Sequence, residues 1–205
     1  MTDIDVGRPD GQDAETLSPI LPDDIEKAAA DVLAEACRLG LKLTTAESCT
    51  GGLLASLLTD IEGASHAFDR GFIVYSDEAK CELLGVRHHQ IDECGAVSQD
   101  VAIAMAEGAL SHSLADIAIA ITGYASAAPE GEEAGLVHFA TACRGGQSVH
   151  AERHLGDIGR GAARISSLRT ALEMMRRAVA RNCVPLPAEG DWPAASAETG
   201  GNHVP

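Results

Sequence analysis

The run Thr45-Ala46-Glu47-Ser48-Cys49-Thr50-Gly51-Gly52 brings neighbouring hydroxyl and thiol groups together with two glycines. At a turn between a strand and a helix, such a run exposes a nucleophile and aims backbone N–H groups at an anion. The same residues also suit a plain glycine-rich turn whose Ser and Thr cap a helix. It is not a phosphate-cradling P-loop, because no Lys follows the glycines, and it is not a GxSxG elbow. A second cluster is Tyr75-Ser76-Asp77-Glu78-Ala79-Lys80, in which Lys80 stands one helical turn beyond Ser76. A partly desolvated amine there could act as a base, or the Lys could simply pair with Ser76 or Asp77. Thr122-Gly123 ends a very apolar run, where a hydroxyl or N–H could donate to a developing oxyanion. Arg160 and Arg164, four residues apart, share one helix face and could grip a phosphate.

Metal chemistry has no sequence signature. His88 and His89 are adjacent, His150 and His154 share one strand face, and there is no HExxH pattern or Cys/His quartet, so no metal and no cofactor is expected. The six cysteines contain no CxxC pair and are expected as reduced thiols, Cys49 included, which reads as a small buried apolar group.

These residues need a scaffold, and the pattern supplies one. Asp23 with Glu26 reads as a capping box opening a helix over 23–39, with Ile25, Ala29, Val32, Ala36 and Leu39 at helical spacing and Gly40 closing it. A strand is expected over 41–46, a helix over 50–58, a strand over 71–75, and a helix capped by Ser76 that runs to about Leu84. Ser98 caps a further helix with Val101, Met105 and Ala109 as its stripe. The continuous apolar run over 116–122 reads as a central strand covered on both faces. Strands over 136–142 and 148–155 form a hairpin about Arg144-Gly145-Gly146, which makes the sheet mixed, and a helix over 161–181 ends the pattern.

The expected architecture is a single α/β domain over residues 23–182, flanked by a disordered acidic tail (1–22) and a disordered Pro-rich tail (183–205). With 45% hydrophobic but only 3% aromatic residues, the core must be aliphatic, which suits helices on a sheet. A net charge of −16 repels nucleic acid and anionic membrane surfaces, and no apolar stretch is long enough to span a bilayer. No nucleic-acid or membrane partner is expected, and the expected location is the cytoplasm.

The strings AESCTGG, GxxxYSxEAK, GAVS with MAEGA, and a buried strand ending in TG follow one another in that order between Asp23 and Val179. In this the chain resembles the CinA C-terminal domain family, which includes nicotinamide mononucleotide deamidases. The resemblance implies a three-layer α/β/α sandwich with a mixed sheet, a homo-oligomer, and a hydrolase of pyridine nucleotide recycling. Its reaction would convert nicotinamide mononucleotide and water to nicotinic acid mononucleotide and ammonia, without metal or cofactor. It implies Ser48 as nucleophile, Lys80 as its proton-transfer partner and Tyr75 as the residue that orients them. Glu47, Cys49, Thr50, Gly51, Thr122 and Gly123 would surround the substrate, and Arg160 and Arg164 would hold its phosphate. Where the family continues TGIAGPGGG and then KPVG, this chain reads Thr122-Gly123-Tyr124-Ala125-Ser126-Ala127-Ala128-Pro129, and Glu130, Glu132 and Glu133 add negative charge. The alternatives left open are a silent relative that binds a nucleotide and an amidase for a different carboxamide.

Overall fold

The computed structural model describes residues 21–181, so the segments expected as tails lie outside the described residues except for Leu21 and Pro22. The first helix, α1 (Asp23–Leu39), buries Ile25, Ala29, Val32, Leu33 and Ala36 on one face and ends at Gly40, whose φ of 68° closes it in the left-handed conformation. Its N-cap is the extended Pro22, with no side-chain cap bond, so the expected capping box on Asp23 does not form. Asp23, Asp24 and Glu26 sit instead in the first turn, where their charge complements the helix dipole.

The chain continues as β1 (Leu43–Glu47), α2 (Leu53–Asp60), β2 (Phe68–Ile73), α3 (Asp77–Leu84), α4 (His88–Cys94), α5 (Gln99–Ser111), β3 (Ile117–Gly123), β4 (Leu136–Cys143), β5 (Val149–His154) and α6 (Arg160–Ala180). One five-stranded sheet has the order β2-β1-β3-β4-β5. The strands β2, β1 and β3 run parallel, and β4 and β5 are antiparallel additions, so the sheet is mixed as expected and β3 is its middle strand.

Alternation along the strands builds two different cores. Ile117, Ile119 and Ile121 of β3, with Val137 and Phe139 of β4, face the layer of α1, α2 and α6. Ala118 and Ala120, with Ala140 and Ala142, face the layer of α3, α4 and α5. Alanines on that face let α5 lie close to the sheet, and Gly108 lets α5 meet α3, because a Cβ there would stand 2.0 Å from the Leu84 carbonyl oxygen. The result is the three-layer α/β/α sandwich.

Three expectations shift. Helix α2 starts at Leu53 because Gly51 and Gly52 take φ values of 65° and 89° and prolong the turn. Strand β2 is displaced toward the N-terminus, to Phe68–Ile73. Helix α4 was not expected, since only Ile91 of its seven residues is buried and one apolar side chain makes no periodic stripe. Cys143 is disulfide-bonded, which corrects the expectation of six reduced thiols, while Cys37, Cys49, Cys81 and Cys94 are free. Among the described residues no helix is long and apolar enough to cross a membrane.

Candidate active site

From β1 the chain moves through α2 to the edge strand β2, then back through α3, α4 and α5 to β3 on the other side of β1. This reversal of direction opens a crevice at the carboxyl ends of the parallel strands. Ser48 follows β1, Tyr75 and Lys80 follow β2, and Thr122 and Gly123 end β3. All five line one cavity of about 260 Å³, together with Cys49, Asp77, Arg160 and the segment Tyr124 to Ala127.

Ser48 is held from behind. Its N–H donates to the Ile121 carbonyl at 2.9 Å, and its own carbonyl accepts from Gly51 N–H at 3.1 Å, which tightens the turn. Among the described residues its hydroxyl has no hydrogen-bond partner, and it lines the cavity. The Cys49 N–H turns to its own thiol, and among the described residues neither it nor the Thr50 N–H is in a backbone–backbone hydrogen bond.

Lys80 is 2% exposed, although it sits only one turn into α3. Its Nζ lies 3.2 Å from Asp77 Oδ1 and 3.5 Å from the carbonyls of Tyr75 and Ser76. Ser76 caps α3 by accepting from Ala79 N–H, which fixes the turn that aims Lys80 inward. The pairing with Asp77 read from the sequence is present, and so is the placement in the crevice. No direct hydrogen bond joins Lys80 to Ser48. The Tyr75 side chain is 66% exposed at the cavity mouth, and it is the backbone carbonyl of Tyr75 that meets Lys80.

Other expected residues stand elsewhere. Glu47 is fully buried and turned from the cavity, its two carboxylate oxygens accepting from Leu54 N–H (3.1 Å) and Ala55 N–H (2.8 Å) at the start of α2. Thr50 and Gly51 continue the turn outside the cavity lining, and the Thr50 hydroxyl is buried with no partner among the described residues. The two arginines separate. Arg160 reaches the cavity and donates to Ser126 Oγ at 2.9 Å, whereas Arg164 donates from Nε to the Cys49 carbonyl at 2.9 Å and braces the Ser48 turn. Thr122 donates from its hydroxyl to the Ala96 carbonyl at 2.8 Å. Gly123 admits no side chain, because a Cβ there would stand 2.7 Å from both the Leu136 oxygen and Val137 Cα. Burial pushes the Cys49 thiol up to about 11, against a smaller opposing pull from Arg164 and Arg160, so it is protonated and inert at neutral pH.

Sequence reasoning missed the lining contributed by Ala96, Val97 and the stretch from Tyr124 to Ala127. The latter opens the β3–β4 connection, which is closed by Tyr124 N–H to the Leu136 carbonyl and Gly135 N–H to the Tyr124 carbonyl. The glutamates that follow do not line the cavity, and Glu133 is drawn away to His154 at 2.8 Å.

Comparison with known proteins agrees with this architecture. The chain is 45% identical to the crystal structure of a competence/damage inducible protein, CihA, from Agrobacterium tumefaciens, with a TM-score of 0.75 over 78% of this chain and 98% of that one. It is 44% identical over 142 residues to a putative competence-damage inducible protein of Caldicellulosiruptor saccharolyticus, covering 68% of this chain and 34% of that protein. The chain thus spans about a third of the length of the competence-damage relatives it matches. It is 46% identical over 112 residues to a protein of Escherichia coli K12 named nicotinamide-nucleotide amidohydrolase PncC, covering 54% of this chain and 68% of that one. The model of the CinA C-terminal domain matches residues 25–179, and with the sheet, the crevice and these relatives in agreement, the chain belongs to that family.

Proposed function

We propose that the protein is an amidohydrolase that converts nicotinamide mononucleotide and water to nicotinic acid mononucleotide and ammonia, with Ser48 as nucleophile and Lys80 as the proton carrier. The observation that carries this reading is that Ser48, Lys80 and Arg160 share one small cavity in a chain related to a named nicotinamide-nucleotide amidohydrolase. Ser48 Oγ attacks the carboxamide carbon and its proton passes to the Lys80 amine. The carbonyl oxygen becomes an oxyanion, for which the backbone N–H of Cys49, in the cavity lining beside Ser48, can serve as a donor. Collapse of this intermediate breaks the C–N bond, and Lys80 returns its proton to the departing nitrogen, releasing ammonia. Water then attacks the Ser48 ester, losing its proton to Lys80, and Lys80 passes that proton to Ser48 Oγ as the C–O bond breaks and the acid departs. Asp77, 3.2 Å from Nζ, holds the lysine cation between these steps. Arg160 supplies charge for the phosphate, and Tyr75 covers the mouth.

Incubating the protein with nicotinamide mononucleotide, with and without Ser48→Ala, tests the reading. Equimolar acid and ammonia from the wild type alone are expected, and equal turnover by the variant would overturn the assignment of the nucleophile. One observation favours a second reading, a family member that binds without turning over. The Lys80 amine is already surrounded by three oxygens and makes no bond to Ser48. Calorimetric binding of the nucleotide with no product released would decide for it.

A further inference from the structure

We propose that His138, His150 and Glu152 form a binding site for one divalent transition-metal ion of the zinc type, apart from the Ser48 cavity. The site is made by the register of the hairpin. In the antiparallel β4–β5 pair, His138 stands opposite Glu152 and Ala140 opposite His150, so the three side chains share one face of the sheet. One ligand atom from each lies within 4.8 Å of the other two. His138 Nδ1 is 2.9 Å from His150 Nε2 and 3.8 Å from Glu152 Oε2. Zinc bonds of about 2.0–2.2 Å in a tetrahedron require neighbouring ligand atoms about 3.3–3.6 Å apart, and the two observed separations bracket that spacing.

The chemistry of the donors fits the same ion. Two imidazoles and a carboxylate are a borderline nitrogen-oxygen set, which suits zinc over calcium or magnesium. Each imidazole presents a ring nitrogen to the shared space, and a nitrogen without a proton has a lone pair to offer a metal ion. Glu152 is held by a second layer of contacts, as metal-binding carboxylates are. His154 Nε2 lies 3.4 Å from Glu152 Oε1, and its Nδ1 lies 2.8 Å from Glu133 Oε2. These two contacts tie Glu152 through His154 to Glu133 and hold its carboxylate beside the two histidines. Three protein ligands leave a fourth position for water or an anion.

The test uses the full chain, tag-free and stripped with a chelator, titrated calorimetrically with zinc chloride and followed spectroscopically with cobalt(II). One equivalent bound with micromolar or tighter affinity is expected, with the visible cobalt bands of a low-coordinate site. His150→Ala and Glu152→Gln should each weaken binding by more than about tenfold, and His154→Ala, which removes only the outer support, by about tenfold. His150 and Glu152 lie on the edge strand, where substitution leaves the core intact, and circular dichroism checks the fold of each variant. Absence of saturable binding into the millimolar range, or unchanged affinity in both His150→Ala and Glu152→Gln, would overturn the proposal. The second outcome would assign the ion to another donor pair, such as Cys81 and His88, which lie 3.5 Å apart.

Discussion

Lys80 places an amine at 2% exposure against Asp77 and two carbonyls, a costly burial for a group with no task. Lys80→Met keeps most of the apolar stem and removes the proton carrier. Ammonia release in a single turnover should therefore fall by about two to four orders of magnitude while the fold persists, and a retained rate would exclude Lys80 as the carrier. Arg160→Ala is expected to raise KM by about tenfold with kcat little changed, the scale of one charge-assisted hydrogen bond, and an equal fall in kcat would place Arg160 nearer the chemistry. The buried Cys49, at about 11, should resist iodoacetamide at pH 8 in the folded protein more than the exposed Cys94, whose thiol is also raised by its bond to Asp100 but is open to the reagent, as peptide mass spectrometry would show. Residue types and the order of motifs made Ser48, Lys80 and Arg160 legible in the sequence. Glu47 and Arg164 were not legible in the same way, because their adjacency to functional groups says nothing of direction. Only the folded turn spends the Glu47 carboxylate on two helix N–H groups and the Arg164 guanidinium on the Cys49 carbonyl.

Among the elements, α2 and α5 hold the site in place by different means. The Glu47 carboxylate satisfies two N–H groups at the start of α2 with no exposure to water, so Glu47→Ala leaves buried donors unmet. A loss of about 1–3 kcal/mol for each unmet donor is expected in denaturant unfolding, partly recovered by Glu47→Gln, whose amide oxygen can accept one of them. Stability equal to wild type in Glu47→Ala would return Glu47 to the list of substrate contacts. In α5, Gly108→Ala poses two opposed effects. Helix propensity gains about 1 kcal/mol, but the new Cβ would meet the Leu84 carbonyl at 2.0 Å, and a backbone atom cannot turn aside as a side chain can. Net destabilisation by about 1–3 kcal/mol is expected, and a stabilised variant would show that α3 and α5 can part freely. The strongly apolar β3 was readable from its continuous apolar run, and the long α1 and α6 from residues recurring at helical spacing. The start of β2, the short α4 and the delayed start of α2 were not, since each is set by tertiary contact or by glycine geometry rather than by a repeating pattern.

At the scale of the whole molecule, a chain of net charge −16 is proposed to capture an anionic mononucleotide, and the two facts pull in opposite directions. Repulsion from the overall field acts at long range and slows encounter, whereas Arg160 at the cavity attracts only within a few ångströms. Salt screens the first more than the second, because the Debye length of about 10 Å at 0.1 M exceeds the separations inside the cavity but not the breadth of the protein. Raising ionic strength from low to physiological should therefore increase kcat/KM for nicotinamide mononucleotide through the encounter step, and leave kcat nearly unchanged. Nicotinamide riboside, which carries the same carboxamide without the phosphate, should lose activity with rising salt, because its cationic ring is attracted by the field that repels the nucleotide. If both substrates respond alike, the field is not steering encounter. If the riboside is also turned over faster than the mononucleotide, the cavity is built for the less anionic carboxamide, and Arg160 serves the Ser126 loop rather than a phosphate.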